Sequence, residues 1–496
     1  MLLRYLPAPF VLLVLLPTLL VEIPAMADYP NHLARMYLLA NPAANPYYVV
    51  SSALHPNLAM DLIVPQLARL MSVESAGRNF VLLSQFLVVS GAIALEFAVK
   101  GRHELAGWTA PLCVYSMPLS FGFMNFQFGT GIALFGIASW IACRTSSWPT
   151  RGAVHTVFVG SLFIAHLFAL GIYGLTLGLY ELDRFLRSER KVPEAIGTLL
   201  LMVAPVLAFL PLIWATGGTL GGSETEWAFE LKPLWAVLFF NAYSVTLSAA
   251  SLAIFVVTVG YLLVTRSISG VPAAGLLTAG FLIGYVAIPF KIFDSRMADF
   301  RVLTGVLLIS PAFVHIRREK LPITRSILAL LIVLNVGYAA YVWLSYRGDY
   351  AAMKASFNLL PSGAFVLVGS SHTDGSPPTL FTDVPMNRAP VLAVHYANAF
   401  VSSLYTITGQ QQVEVRPDLK HLDVDAKTET YEPPSLTTLR VLAAGQEVPG
   451  APRYLRNWTK DFQYVYLMGP PAENALPGVL DELARYDRFS LYAIRR

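Results

Sequence analysis

Apolar runs separated by short polar connectors make up the first two-thirds of the chain. A helix of about 20 apolar residues crosses the hydrocarbon core of a bilayer, and shorter helices suffice where the chain turns within it. These runs are residues 6–24, 79–99, 105–118, 128–143, 195–215, 245–265, 271–289, 302–316 and 322–345. The pattern predicts a polytopic bundle of membrane helices.

One further apolar stretch, residues 153–182, is too long for a single ordinary span. It is flanked by Arg151 and Arg184, and positive charge at both ends favours the same side of the membrane for both. An even number of crossings satisfies this, so we predict two short helices that meet near His166 and Gly171. With this pair the total is about eleven spans.

The connector that follows the first span, residues 26–78, is a long outer loop with helical stretches of its own. Residues 31–40 and 58–70 are predicted as helices, and the apolar face of the second favours a position on the membrane surface. A short polar segment, Asn125 to Gln127, is predicted as an outer turn. A charged segment, residues 291–301, is predicted as a late outer loop.

From Arg347 onward the composition resembles that of an ordinary globular domain. Short apolar runs predict strands and two longer segments predict helices, separated by connectors rich in Pro, Gly and Ser. The strands are residues 364–368, 391–394, 464–468 and 490–494, and the helices are 395–405 and 478–486. We therefore predict a mainly α fold: a transmembrane domain, residues 1–346, and a small extracytoplasmic α/β domain, residues 347–496.

Composition agrees with a membrane location, because 55% of the 496 residues are hydrophobic and only 13% are charged, against roughly 25% charged in soluble domains. The basic connectors fall on one side of the predicted spans, at Arg102, Arg144, Arg184 to Lys191, Arg266 and Arg317 to Lys320. Positive connectors face the cytoplasm, which predicts a multi-pass membrane protein with a retained first span, a cytoplasmic N-terminus and an extracytoplasmic C-terminus. The net charge of +4 says little about nucleic acid, because the basic residues lie in short connectors. For a chain of this class we expect membrane lipids as partners and no nucleic acid.

Familiar cofactor and metal motifs are missing from the sequence. Cys113 and Cys143 both fall inside predicted spans, so a disulfide framework is not expected. The sequence contains no P-loop, no glycine-rich dinucleotide fingerprint after a strand, and no CxxC or HExxH motif. No metal ligand is therefore assigned from a motif.

The first candidate chemistry lies directly after the first span, where Asp28, His32 and Arg35 fall within eight residues. Pro30 favours a turn, which places Asp28 at the non-helical entry to the next helix. Such an acid has two interpretations: a helix N-cap or interfacial residue, or a catalytic group. His32 is a candidate to orient it, and Arg35 a candidate phosphate contact or a lipid-headgroup anchor.

The other candidates lie in the outer segments and at mid-chain. Asp61 is either an exposed polar residue of an amphipathic helix or a second functional acid. Membrane-level cations tend to face cavities, and arginine grips phosphate through two hydrogen bonds. The candidate substrate-binding residues are Lys291, Arg296 and Arg301, with Asn125, Gln127 and His166 as candidate sugar or donor contacts.

The layout of residues 1 to about 345 resembles the GT-C superfamily of membrane glycosyltransferases. The resemblance rests on an acid just past the first span, a long outer loop with surface helices, paired short helices at mid-chain and a late charged outer loop. In sequence it is closest to bacterial members with the run Asp28-Tyr29-Pro30-Asn31-His32 followed by Pro56-Asn57-Leu58-Ala59-Met60-Asp61. Many relatives carry two adjacent acids in this loop, whereas Asp28 has no acidic neighbour, which makes Asp61 the candidate second acid.

This resemblance implies an inverting transferase that moves a sugar from a polyprenyl-phosphate carrier to a glycan, lipid or protein acceptor. It places the reaction at the outer face of a bacterial inner membrane, with the C-terminus in the periplasm. It assigns Asp28 as the base and leaves open a divalent metal near it. Because the phosphate cation must not neutralise the base, residues 26–35 and 291–301 are expected to face one outer cavity. Two alternatives remain from the residues: a flippase or transporter for a lipid-linked glycan, and a non-catalytic envelope-assembly protein of the same fold.

Overall fold

The computed structural model describes residues 7–53, 55–189, 191–215, 225–292, 295–372, 384–407, 410–425, 428–429, 431–472 and 475–496. The chain forms two compact units. The first takes in the residues up to Leu20, then Leu54–Met60 and Asn79–Tyr341. The second is made of Val21–Ala53, Asp61–Arg78 and Val342–Arg496.

Helices dominate the described residues. They are α1 Pro7–Leu20, α2 Tyr29–Ala40, α3 Ala59–Leu67, α4 Val73–Lys100, α5 Ala106–Val114, α6 Met117–Phe121, α7 Met124–Ala142, α8 Trp148–Ala165, α9 Leu167–Leu186, α10 Val192–Ala215, α11 Lys232–Val237, α12 Val245–Val264, α13 Ala274–Ala287, α14 Ala298–Leu308, α15 Leu321–Ser345, α16 Arg347–Ser356, α17 Val384–Asn387, α18 Ala393–Tyr396, α19 Leu436–Ala443 and α20 Trp458–Asp461. The strands are β1 Tyr48–Val50, β2 Ile268–Gly270, β3 Lys291–Ile292, β4 Ser295–Arg296, β5 Val314–Ile316, β6 Phe365–Ser370, β7 Phe400–Val401, β8 Val413–Val415, β9 Tyr464–Met468, β10 Leu480–Arg485 and β11 Phe489–Ile494.

Several of these helices are membrane-spanning in length and composition. In the described part of the chain, five stretches are long and apolar enough to cross a bilayer: Val73–Lys100, Met124–Thr145, Val192–Pro211, Val245–Val264 and Leu321–Leu359. Shorter apolar helices are Val11–Leu20 and Ala274–Ala287. The protein is thus a polytopic membrane protein, and the predicted total of about eleven spans stays a prediction.

The long apolar stretch at mid-chain is divided at the predicted place. Helix α8 ends at Ala165 and α9 begins at Leu167. Between them His166 has an extended backbone, and its Nδ1 accepts a hydrogen bond from the Phe168 backbone N–H at 3.1 Å, which caps α9. The two helices have 18 and 20 residues and are therefore longer than predicted, because the polar ends around Arg151 and Arg184 are helical too.

Two segments of the first unit differ from prediction. Asn125 to Gln127 is not a turn but the buried first turn of α7, since the Asn125 side chain accepts from the Met60 backbone N–H at 2.8 Å and donates to the Asn57 carbonyl. The run 302–316 is not one span either. Helix α14 ends at Leu308, and the chain then forms β5, which pairs with β2.

The second unit is built on a five-stranded sheet in the order β10-β11-β9-β6-β7. The central strands β6 and β9 are parallel, and β11 runs antiparallel to both of its neighbours. Three predicted strands are confirmed as β6, β9 and β11. Their near-continuous apolar character fits strands that are covered on both faces.

Three predictions for this unit are wrong. Residues 478–486 contain edge strand β10 rather than a helix, because residues 480–485 pair antiparallel with β11 and most of their side chains are exposed. Residues 391–394 are helical, and the predicted helix 395–405 ends at Tyr396 before strand β7. In both places short apolar runs fit either state, and tertiary packing decides between them.

Most residues of the connector 26–78, which was predicted as the first outer loop, belong to this second unit. Strand β1 pairs antiparallel with β8, so that Tyr48 lies opposite Val415. Helix α2 packs against the Ala389–Leu392 turn and α18. The sequence-based division kept residues 26–78 with the membrane domain, whereas long-range pairing groups most of them with the C-terminal residues.

Candidate active site

Asp28 stands at the N-cap position of α2, yet its carboxylate does not cap the helix. A cap accepts from the backbone N–H of the second or third helical residue, and here the second is Pro30, which has no N–H. The carboxylate instead accepts hydrogen bonds from the Arg388 guanidinium and from the Tyr405 hydroxyl, the latter at 3.1 Å. The structure therefore gives this acid a specific side-chain environment and no capping role.

Arg388 joins two carboxylates across the chain. One terminal nitrogen binds Asp28 and the other binds Glu432 at 3.2 Å. Its guanidinium lies 4.8 Å from the centre of the Tyr405 ring. Burial by itself lowers the pKa of Arg388, but the Asp28 and Glu432 carboxylates outweigh it and raise the pKa above the ordinary value. Arg388 is therefore a firmly charged partner of Asp28, and with both side chains about one-sixth exposed the pair remains reachable.

Tyr405 is held in place from three sides. Its backbone N–H donates to the Asn31 side-chain oxygen at 2.8 Å. Its ring meets Tyr431 edge-on at 4.7 Å between centres. The next residue, Thr406, donates its hydroxyl to the buried Asp423 at 2.7 Å. Burial raises the pKa of Asp423 to about 6, so the residue that holds Thr406, and through it Tyr405, changes its charge near neutral pH.

The other predicted residues of the first loop form a second, buried group. Arg35 is 2% exposed and binds Asp61 through two hydrogen bonds of 2.8 and 3.1 Å. The same guanidinium lies 3.1 Å from Nδ1 of His32. Among the described residues its third nitrogen, Nη1, is buried without a partner. The structure thus brings His32, Arg35 and Asp61 together, and a catalytic role for Asp61 stays a prediction beside its role as the counter-ion of Arg35.

In the first unit the candidate phosphate residue with the most distinctive surroundings is Arg301. Its guanidinium lies 4.4 and 4.7 Å from the ring centres of Phe123 and Phe168, and it donates to the Ser295 hydroxyl at 2.5 Å. It is 4% exposed, and its Nε has no hydrogen-bond partner in the described part of the chain. The neighbouring Asp299 binds Lys232 at 2.7 Å. Arg301 is thus a buried cation with unused donor capacity.

The remaining candidates lie at different depths. Arg296 is exposed on β4, and Lys291 pairs with it in the β3–β4 hairpin. His166 is buried with its ring edge-on to Phe126 at 5.4 Å. Gln127 is buried and donates to the Val114 carbonyl at 3.4 Å. Asp28 and Arg301 belong to different units, so the shared cavity expected between residues 26–35 and 291–301 stays a prediction.

These contacts do not supply a set of ligands for the divalent metal that was considered near Asp28. Among the residues that the structure describes, no group of three or more His, Cys, Asp or Glu side chains is placed to hold a metal ion. Asp28 and Asp61 each face a guanidinium, and a second cation would be repelled at either place. The arginines are the cations that the chain itself supplies to these acids.

Arg388, Tyr405 and Glu432 were not predicted from the sequence. They lie far from the first loop in the chain, and Arg388 is 360 residues from Asp28. No local motif surrounds them, because the polar connector of a small α/β domain normally contains such residues. Only the packing of α2 against the Ala389–Leu392 turn identifies them.

The described residues thus combine a helical membrane unit, a second unit with a five-stranded sheet, and an acid at the first helix after the initial apolar helix. Among solved structures, the crystal structure of ArnT from Cupriavidus metallidurans bound to undecaprenyl phosphate is similar over 98% of this chain and 97% of its own, with a TM-score of 0.50 and 12% sequence identity. No family model and no curated protein matches the sequence. At this identity the likeness concerns the fold, and it agrees with the predicted GT-C architecture.

Proposed function

We propose that the protein is an inverting glycosyltransferase that takes a sugar from a polyprenyl-phosphate carrier and transfers it to an acceptor hydroxyl at the outer face of a bacterial inner membrane. The observation that carries the proposal is the Asp28 carboxylate, which follows the first apolar helix, leaves its helix uncapped and is held by Arg388 and Tyr405. An acid fixed in this manner is suited to chemistry rather than to helix stability.

The reaction assigns one role to each group. Asp28 accepts the proton of the acceptor hydroxyl, because an alcohol is a poor nucleophile at neutral pH. The acceptor oxygen then forms a bond to the anomeric carbon, and the bond from that carbon to the phosphate oxygen breaks, with the electron pair leaving on the carrier phosphate. Attack from the opposite side to the leaving group inverts the configuration.

The departing phosphate requires positive charge. Arg301 is the proposed cation of the membrane unit, since it is buried beside three phenylalanine rings, those of Phe123, Phe126 and Phe168, with an unpartnered Nε among the described residues. A guanidinium in such surroundings interacts strongly with an arriving anion, because little water screens it. Lys291 and the exposed Arg296 are secondary candidates, and Asn125, Gln127 and His166 remain candidate contacts of the donor.

The carrier is proposed from the same chemistry. The ArnT structure is bound to undecaprenyl phosphate, which makes a polyprenyl phosphate the first ligand to test with this chain. The apolar helices of the first unit supply surface of the kind that an isoprenoid tail prefers. The sugar and the acceptor are left to the assay.

The deciding experiment measures transfer of a labelled sugar from polyprenyl-phosphate donors by the purified protein in nanodiscs, with envelope extract as the source of acceptors. We expect Asp28→Asn to lower turnover by about 10²–10⁴-fold and to lower the free energy of unfolding by no more than about 1–3 kcal/mol, the usual cost of weakening one hydrogen bond to a charged group. Asp481→Asn, which changes an exposed acid on β10, is the matched control and should retain activity.

Near wild-type turnover in Asp28→Asn would remove Asp28 as the base and would make Asp61 the next acid to test. Absence of transfer with every lipid-linked sugar would reject the enzyme proposal. Transport of a lipid-linked glycan across the membrane, or assembly without catalysis, would then be the functions to examine.

A further inference from the structure

The proposed base does not stand free. Arg388 holds the Asp28 carboxylate, and the two side chains are 16% and 17% exposed. One oxygen of the carboxylate, Oδ1, accepts hydrogen bonds from both Arg388 and Tyr405, so an incoming hydroxyl meets an acceptor that is already engaged. A base that is restrained in this manner requires an event that releases it, and the position of Arg388 indicates what the event is.

We propose that Arg388 is a second cation for the carrier phosphate, which pairs with Asp28 in the resting protein and moves to the phosphate when Asp28 accepts the acceptor's proton. This inference rests on the proposed function. It assigns to a residue of the C-terminal part of the chain a direct part in the transfer reaction, and it assigns a phosphate-binding site to the Asp28, Arg388 and Tyr405 group.

The charges on the reacting atoms account for the exchange. When Asp28 takes the proton it becomes neutral, and its attraction for Arg388 falls. In the same step the bond to the anomeric carbon breaks, and the carrier phosphate changes from a diester with one negative charge to a monoester with nearly two. The guanidinium therefore moves from a carboxylate that has lost its charge to a phosphate that has gained one. An interaction that strengthens only as the bond breaks raises the rate of the chemical step.

The contacts of Arg388 permit this movement. The second carboxylate, Glu432, is 64% exposed and lies 3.2 Å from the other terminal nitrogen of Arg388. Surface ion pairs of this kind contribute little to stability. The guanidinium carbon lies 4.8 Å from the centre of the Tyr405 ring, a cation–π contact of the weak kind that partly exposed sites have. If the acceptor oxygen lies about 3 Å from Asp28 and from the anomeric carbon, the phosphate lies a few ångström beyond that carbon, and Arg388 would reach it through a change of side-chain rotamer.

Binding of a polyprenyl phosphate without sugar tests the exchange, with full-length protein in nanodiscs. Asp28→Asn carries a neutral amide and imitates the protonated acid, so Arg388 is released. We expect it to bind polyprenyl phosphate about 10-fold more tightly than the wild type, and Arg388→Gln to bind about 10-fold more weakly. The double variant should bind like Arg388→Gln alone, since the gain from Asp28→Asn acts through Arg388.

Two controls exclude general effects of charge. Arg416→Gln removes an exposed arginine that pairs with Asp418, and it should leave the affinity unchanged. The uncharged polyprenol should bind wild type, Asp28→Asn and Arg388→Gln equally, because it has no phosphate for Arg388 to hold.

The inference is overturned if Asp28→Asn binds polyprenyl phosphate no more tightly than the wild type, or if the gain persists in the double variant. The first of these outcomes does not depend on the folding of Arg388→Gln, because it is read from the single Asp28→Asn variant. Failure of the proposed function has a different signature. In that case no lipid-linked sugar is transferred by the wild type, whatever the binding measurements show.

Discussion

At the residue scale, the surroundings of Asp28 distinguish between two roles for this acid, a helix N-cap and a functional carboxylate. An aspartate just before a helix is usually an N-cap. Here Pro30 removes one of the two backbone donors that a cap uses, and the carboxylate turns to Arg388 and Tyr405. Proline in the first helical turn thus leaves the Asp28 carboxylate available for another partner. This feature can be read from the neighbouring residues of the sequence alone.

Asp423, which supports Tyr405 through Thr406, makes a prediction about pH. Burial raises its pKa from 3.8 to about 6, so the folded protein holds this proton more tightly than the unfolded chain. The resulting stability is complete below the unfolded pKa and is lost as the pH rises through about 6. Asp423→Asn keeps an oxygen for the Thr406 hydroxyl and carries no charge. We expect it to be more stable than the wild type at pH 8 by about 1–3 kcal/mol.

Thermal unfolding of the purified variants at pH 4 and pH 8 measures this difference. The advantage of Asp423→Asn should shrink toward zero at pH 4, where Asp423 of the wild type is protonated when folded. Asp418→Asn, an exposed acid, is the control and should show no such change between the two pH values. An advantage of equal size at both pH values would show that the charge of Asp423 is not its source.

At the element scale, the glycines of α7 permit close approach to neighbouring helices. A Cβ added at Gly131 would lie 2.5 Å from Cβ of Leu87 on α4 and 2.9 Å from its carbonyl carbon. On another side of α7, a Cβ at Gly129 would lie 2.9 Å from Cβ of Ala169 on α9. Small residues at such crossings bring helix backbones together where the hydrophobic effect contributes little.

Gly131→Ala is therefore expected to separate α7 from α4 and to lower the free energy of unfolding by about 1–3 kcal/mol. Gly174→Ala on α9 is the matched substitution, since nothing lies within 4 Å of its added Cβ, and it should be neutral or slightly stabilising. Unfolding midpoints in the same detergent compare the two variants. Equal midpoints would mean that α4 and α7 tolerate a methyl group at their crossing.

At the scale of the whole molecule, the side of the membrane on which the C-terminal part lies decides whether the proposed chemistry is at the outer face. The basic connectors around Arg102, Arg144 and Arg266 predict a cytoplasmic N-terminus and a periplasmic C-terminus. A reporter enzyme that requires the periplasm should be active when it is fused after Arg496. Activity of a fusion that works only in the cytoplasm would reverse the orientation and would place Asp28 at the inner face.

The sequence alone determined the features that depend on neighbouring residues. Apolar runs predicted α1, α4, α10, α12, α13 and α15, because length and hydropathy suffice for a membrane helix. His166 marked the break between α8 and α9, and short apolar runs marked β6, β9 and β11. The acid after the first helix was found in the same way, since a charge beside a span is conspicuous. Together these features were enough to predict a GT-C-like architecture.

Only the tertiary structure decided which distant residues meet. The partners of Asp28 are remote, and Arg388 lies 360 positions away. Strand β1 of the first loop pairs with β8 of the C-terminal part, although the sequence of neither strand predicts its pairing with the other. Edge strand β10 was predicted as a helix, since its residues are ones that favour helices, and its pairing with β11 is a long-range event that local sequence does not specify. Local patterns specify the state of a segment, whereas contacts between segments depend on the packing of the whole unit, and the proposed exchange of Arg388 is a property of such contacts.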